Sequence, residues 1–207
     1  MGVKLYYVHD PMCSWCWAFR PVWQTLKRQL PDHVSVEYLL GGLAPDCSQV
    51  MPMRMQRYIQ GHWQRIQREV PGTLFNFEFW QQCQARRSTY PACRAVIAAK
   101  RQDVCKEDAM ILAIQQAYYL QACNPSDDDV LFACAESTGL DLNRFKTELN
   151  SDESKMQLMR EIDLGRTIGA SGFPSLIVEK EGGFHPIRLD YLNAEIMLNQ
   201  IQDLLPD

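Results

Sequence analysis

No stretch of this sequence is apolar for more than a few residues, far short of the roughly 20 that a membrane-spanning helix requires. Internal repeats and low-complexity segments are missing too. Gly and Pro number only 11 each, so collagen-like and disordered readings fall away. An excess of basic charge is also lacking: 21 Lys and Arg stand against 25 Asp and Glu, a net charge of −4. That balance argues against a nucleic-acid partner, and the short apolar runs argue against a membrane partner. The opening residues, Met1-Gly2-Val3-Lys4-Leu5, show no charged start, apolar stretch and cleavage site of a secretory signal. The expectation is therefore a cytoplasmic protein in a reducing compartment.

What is present is an ordinary globular composition, 46% hydrophobic and 22% charged over 207 residues. That length can bury a sizeable core, as one domain or as one domain with a substantial insertion. The charge is uneven: residues 1–49 net 0, residues 50–102 net +7 and residues 103–207 net −11. Mutual neutralisation of the last two segments on packing is the simple expectation. Attraction of an anionic substrate by Arg54, Arg57, Arg65 and Arg68 is the sharper one.

Eight cysteines are present, and six of them stand alone (Cys47, Cys83, Cys93, Cys105, Cys123 and Cys134). Solitary cysteines of this kind are expected to be small, inert core residues. No pair among them has the spacing of a structural zinc site. Cys13 and Cys16 are different.

Val3 to His9 is rich in β-branched and aromatic residues and predicts a strand, which Asp10-Pro11 stops. Trp15, Phe19, Trp23, Leu26 and Leu30 recur at helical spacing up to Pro31-Asp32. His33 to Leu40 predicts a second strand, and a strand–helix–strand unit makes the two strands parallel. Helical patterns then fill 50–69, 88–101, 105–122, 127–138, 141–150 and 153–168, with Ser126 expected as a helix cap ahead of Asp127, Asp128 and Asp129. Pro174 to Glu179 and Phe184 to Leu189 predict a hairpin, followed by a helix over about 193–205. The order βαβ, helices, ββα is an α/β sheet domain split by an all-helical insertion. Its parts are 1–44, the insertion 45–168, and 169–207.

Cys13-Ser14-Trp15-Cys16 follows the first strand and opens the first helix. Two intervening residues bring the sulfurs within disulfide reach across one turn. The unpaired N–H groups and the dipole of the helix start favour a thiolate at Cys13, while Cys16, deeper in the helix, is suited to resolve a mixed disulfide. Half a zinc site has the same spacing, but it would need two more ligands, and His9 lies on the strand. No metal and no organic cofactor are expected. Gly172-Phe173-Pro174-Ser175 begins the third strand. Proline there lacks the ladder N–H and can be a strand-initiating trans residue or a cis residue kept for a purpose.

Asp10-Pro11-Met12-Cys13-Ser14-Trp15-Cys16-Trp17, with Gly172-Phe173-Pro174-Ser175-Leu176 farther on, resembles the DsbA family of thioredoxin-fold oxidoreductases. The likeness is strongest to its leaderless FrnE-like cytoplasmic branch, and it extends over the whole chain as a thioredoxin-like fold with a helical insertion. The resemblance implies that Cys13 is the attacking thiol, Cys16 the resolving thiol and Pro174 a cis-proline facing them. It implies that the backbone of Phe173 pairs with an extended substrate segment, and that the helical insertion caps the site.

Three departures from the family pattern stand out. Ser14-Trp15 supplies neither histidine nor proline, so the disulfide is expected in the reducing half of the range from roughly −270 to −120 mV. Tyr7 stands where many thioredoxin-like proteins keep a buried carboxylate. Phe173 is larger than usual and is expected to narrow the groove. Trp15 is expected to be exposed beside the sulfurs, with Trp17 and Trp23 facing the core. The run Met51-Pro52-Met53-Arg54-Met55 suits either a flexible peptide-binding surface or core packing at a helix start.

The function expected from these features is thiol–disulfide exchange on protein disulfides, as a reductase or isomerase, through a mixed disulfide. The partners are protein or peptide thiols and disulfides, with glutathione a further candidate. The alternatives are a glutathione-dependent transferase or isomerase of the kappa-class type, which carries serine at the first cysteine position, and a non-catalytic binding or chaperone module.

Overall fold

The computed structural model describes residues 3–205. Its centre is a four-stranded sheet in the order β2-β1-β3-β4. The strands are β1 (Val3–His9), β2 (Val34–Leu40), β3 (Ser175–Lys180) and β4 (Gly183–Ile187). β2 runs parallel to β1 in the register Val3 to Val34 through His9 to Leu40. β3 is antiparallel to β1, and β4 is antiparallel to β3. β1 is central and covered on both faces, which is why nearly every residue in it is apolar or aromatic.

The alternation of β1 splits the core. Leu5 and Tyr7 point to one face, where α1 (Ser14–Gln29) packs through Phe19, Trp23 and Leu26, and α9 (Ala194–Gln202) through Met197 and Ile201. Tyr6 and Val8 point to the other face, against Leu39, Ile168 and Ile177. That second face is covered by α8 (Asp152–Thr167), the last helix of the long helical run. Gly165 makes the close approach possible, since a Cβ there would sit 3.2 Å from Val8 Cγ1. The segment 45–168 expected as a single insertion thus ends in a helix that lies on the sheet itself.

The other helices are α2 (Met53–Glu69), α3 (Phe79–Gln82), α4 (Tyr90–Gln102), α5 (Lys106–Tyr119), α6 (Asp128–Ser137) and α7 (Leu142–Leu149). Among them α2, α3 and α5 build an aromatic cluster in which Trp63 stacks on Phe75 at 4.9 Å and meets Phe79, Trp80, Tyr118 and Tyr119. Arg94 is buried in α4 and forms two bonds to Asp46, with further bonds to the Leu149 carbonyl and the Asn150 side chain. One guanidinium thereby ties α4, the end of α7 and the loop before α2.

Three expectations are corrected. Ser126 is not the cap of α6: its hydroxyl donates to the Ser88 carbonyl at 2.6 Å, and Asp127 takes the cap position while pairing with Arg86. A long-range partner outcompetes the local one. Among the solitary cysteines only Cys93 and Cys134 are buried. Cys47, Cys83 and Cys123 are half-buried and Cys105 is exposed, because these four sit in loops or at helix ends. Charge neutralisation is partial. Arg86–Asp127 and Lys100–Glu107 join the basic and acidic segments, but Arg54, Arg57 and Arg68 form no ion pair among the described residues.

Candidate active site

β1 delivers the chain to the site and a short loop turns it into α1. Asp10 organises that loop. Fully buried, its carboxylate accepts hydrogen bonds from Met12 N at 2.8 Å, Leu43 N at 2.7 Å and Thr89 Oγ1 at 2.6 Å, and the Cys93 thiol lies 3.5 Å away. Its backbone carbonyl accepts from Cys13 N at 3.0 Å. Burial raises the Asp10 pKa, against these bonds, which lower it. The sequence includes Asp10 in its motif but assigns it no role. Only the fold brings Leu43, Thr89 and Cys93 onto one carboxylate.

Cys13 occupies the N-cap position of α1 with extended backbone, and Cys16 lies one turn in, with no exposure at all. Both are present as thiols. Cys13 is lowered from the ordinary thiol range, first by the hydrogen bond from Cys16 and also by the backbone N–H groups of Cys16 and Trp15, against the effects of burial and of Asp10. Cys16 is pushed well above that range, first by burial and then by Cys13. The pair is polarised: one sulfur is disposed to ionise and the other to keep its proton.

Across from Cys13 lies the loop before β3. The Phe173–Pro174 peptide bond is cis, and Cys13 Sγ contacts the Phe173 carbonyl oxygen at 3.5 Å. The Phe173 ring lies over Gly41, where an added Cβ would fall 1.9 Å from its Cε1 atom. The end of β2 is thus shaped to seat the large residue before Pro174. The structure brings Cys13, Cys16, Trp15, Phe173 and Pro174 to one end of the sheet.

Trp15 is half-buried rather than exposed. Its ring meets Tyr191 edge-on at 5.2 Å, and the Arg65 guanidinium lies 5.5 Å from its centroid. Trp23 is buried and donates to the Tyr38 hydroxyl at 3.0 Å. Trp17 is half-buried; it stacks on Tyr119 and donates to the Leu74 carbonyl at 3.0 Å, linking α1 to the helical part. Tyr7, Tyr119 and Tyr191 surround the dithiol, and burial pushes all three phenols up, so they stay neutral. His9 is buried against Tyr7, both ring nitrogens lack a partner among the described residues, and burial, with the Arg20 charge, lowers its pKa to about 3. No group of His, Cys, Asp or Glu among the described residues has the arrangement to hold a metal ion.

A cleft of about 520 Å³ opens over Cys13 and Trp15, walled by Tyr58, Ile59 and His62 of α2, the segment 86–89, and Ile162 and Arg166 of α8. Its cationic residues are Arg86, Arg87 and Arg166, with no Asp or Glu among the lining residues. The basic residues singled out from the sequence, Arg54, Arg57, Arg65 and Arg68, are not in the lining, because α2 presents Tyr58, Ile59 and His62 to it instead. Met51 lines the cleft and is buried, while Met53 and Met55 are exposed at the start of α2.

A βαβ–ββ sheet with a two-cysteine helix start facing a cis-proline loop defines a thioredoxin-like protein. The chain belongs to the Thioredoxin family, whose model matches residues 6–183. Its structural neighbours are DsbA-family oxidoreductases. A candidate protein disulfide isomerase from Nitrosomonas europaea superposes with a TM-score of 0.86 at 28% identity, covering 98% of this chain and 97% of that one. The cytosolic disulfide reductase DsbM from Pseudomonas aeruginosa, also solved with GSH, has a TM-score of 0.78 at 22% identity, over 97% and 98%. In sequence, the ClpXP adapter protein SpxH of Halalkalibacterium halodurans is 23% identical over 95% of this chain. The chain spans 68% of that relative's length and 57% of the SpxH of Bacillus subtilis. Among the described residues no helix is long and apolar enough to cross a membrane.

Proposed function

We propose that the chain is a thiol–disulfide oxidoreductase acting on protein or peptide disulfides in the cytoplasm, as a reductase or isomerase. The observation that carries this reading is the polarised pair, with Cys13 lowered at the start of α1 and Cys16 raised behind it. The Cys13 thiolate attacks one sulfur of a substrate disulfide, forming a mixed disulfide and releasing the other substrate sulfur as a thiolate. Cys16 then gives up its proton, attacks the Cys13 sulfur and expels the second substrate thiolate. Two electrons pass to the substrate and a Cys13–Cys16 disulfide remains, to be reduced by external thiols. The Phe173 backbone beside Pro174 is the edge on which an extended substrate would lie, and Trp15 flanks it. The helices between β2 and β3 roof the groove.

Cys13→Ser is expected to lower insulin reduction at least about 1,000-fold with the fold intact by circular dichroism, since the attacking atom is lost. Retained activity overturns the reading.

Glutathione is the small partner that the cleft favours, because three arginines and no carboxylate line it. Arg87 stands free of any ion pair among the described residues, while Arg86 pairs with Asp127 and Arg166 with Asp163, both outside the lining. A neighbour solved with GSH supports the same choice. Calorimetry with reduced glutathione tests this, and absence of heat at millimolar ligand removes it. A binding role without redox turnover is supported by the adapter relatives. In that case a Cys13→Ser/Cys16→Ser variant would capture its partner as well as the unaltered protein does.

A further inference from the structure

We propose that Cys83 and Cys123 are a second thiol pair, on the helical side of the molecule, that closes into a disulfide. Cys83 follows α3 and Cys123 follows α5. The Cys83 thiol donates to the Ala122 carbonyl oxygen at 2.9 Å. A planar trans peptide holds that oxygen about 2.8 Å from the Cα of the next residue, so Cys83 Sγ lies within roughly 6 Å of Cys123 Cα. Ala122 has φ 53°, a left-handed turn that carries its carbonyl to Cys83. Cys123 Sγ rests on the Gln121 carbonyl at 3.6 Å, a weak contact that rotation of one side-chain bond gives up. Both cysteines are half-buried, within reach of a small disulfide. Burial pushes the Cys83 thiol up, and negative charge on Cys123 adds to that, which suits Cys83 to react second.

The oxidant is a low-molecular-weight disulfide, with oxidised glutathione as the probe. The Cys123 thiolate attacks one glutathione sulfur, forms a mixed disulfide and releases the other glutathione as a thiolate. Cys83 loses its proton, attacks the Cys123 sulfur and displaces the second glutathione. Two protein thiols lose two electrons and one disulfide becomes two thiols.

The location ties this pair to the cleft wall. Segment 83–88 is already fastened to 122–126 by Asn124 Nδ2 donating to the Gln84 carbonyl at 3.2 Å, an Arg86 N–H donating to the Ser126 carbonyl at 2.8 Å, and the Ser126 hydroxyl donating to the Ser88 carbonyl. Arg86, Arg87, Ser88 and Thr89 continue into the cleft. A Cys83–Cys123 bond would make this seam covalent.

The test uses the full chain as Cys13→Ser/Cys16→Ser, so that its outcome is separate from the fate of the first pair; six thiols remain. Incubation with oxidised glutathione is expected to yield a Cys83–Cys123 cross-linked peptide in non-reducing mass mapping, whatever mixed disulfide the exposed Cys105 carries. Adding Cys123→Ser is expected to abolish that cross-link. Six free thiols at equilibrium, a Cys123–Cys134 link, or glutathione held on either cysteine without a cross-link would each overturn the proposal.

Discussion

At the scale of single residues, the Cys13 thiol is lowered chiefly by one neighbour, the hydrogen bond from Cys16. Cys16→Ala removes that donor. The inflection in the rate of Cys13 alkylation by iodoacetamide against pH is then expected to move up toward that of an ordinary thiol; an unmoved inflection would assign the lowering to the helix start alone. His9 has the opposite kind of consequence. Its folded pKa of about 3 lies below the unfolded value of 6.5, so the unfolded chain takes up a proton first as pH falls. Stability from neutral His9 is complete above pH 6.5 and is lost as pH falls toward 3, by about 5 kcal/mol at most. His9→Phe keeps an aromatic partner for Tyr7 and is expected to flatten that part of the stability curve in urea titrations. An unchanged pH dependence would show that His9 is not buried neutral. Asp10, Glu107 and Glu161 are all raised by burial and act with the opposite sign, so the comparison with wild type isolates His9.

At the scale of elements, the end of β2 and the loop before β3 are one mechanical unit, because the Phe173 ring occupies the space a Gly41 side chain would fill. Gly41→Ala is expected to displace that ring and lower insulin reduction by about tenfold, through misplacement of the Pro174 edge. Phe173→Ala added to it is expected to recover most of the loss, and a double-mutant cycle showing simple additivity would refute the coupling. The same pairing shows what was legible beforehand. β1, α1 and the two-cysteine turn could be read because period, stop signals and motif coincide within a few residues. α3 could not: Phe75, Phe77 and Phe79 alternate, and their places are decided by Trp63 in another helix. Ser126 carried a sound local capping signal and lost it to the Ser88 carbonyl. Trp15 looked exposed because neither Tyr191 nor Arg65 is near it in the chain.

At the scale of the whole molecule, a chain of net charge −4 gathers Arg86, Arg87 and Arg166 around the cleft over Cys13 with no carboxylate among the lining residues. That asymmetry favours encounter with anions and is weakened by salt. Turnover of oxidised glutathione is expected to fall several-fold between 20 and 500 mM NaCl, more steeply than that of the neutral hydroxyethyl disulfide. Equal salt dependence for the two would assign the cationic lining no part in encounter. The site residues singled out from the sequence, Cys13, Trp15, Cys16, Phe173 and Pro174, come from the start of α1 and the loop before β3, and the charge around them from segments distant in the chain, which explains why one was legible and the other was not.

Asp10 joins these scales. Two of its partners, Thr89 and Cys93, belong to the helical region, while its own loop carries Cys13. A miniaturised protein made by splicing β2 directly to β3 would keep every strand and both cysteines of the Cys13–Cys16 turn, yet would strand an acid group beneath that turn with Leu43, Thr89 and Cys93, three of its four donors, gone. In this lineage the roof cannot be trimmed away as an accessory, and grafts onto simpler scaffolds must carry that anchorage with them.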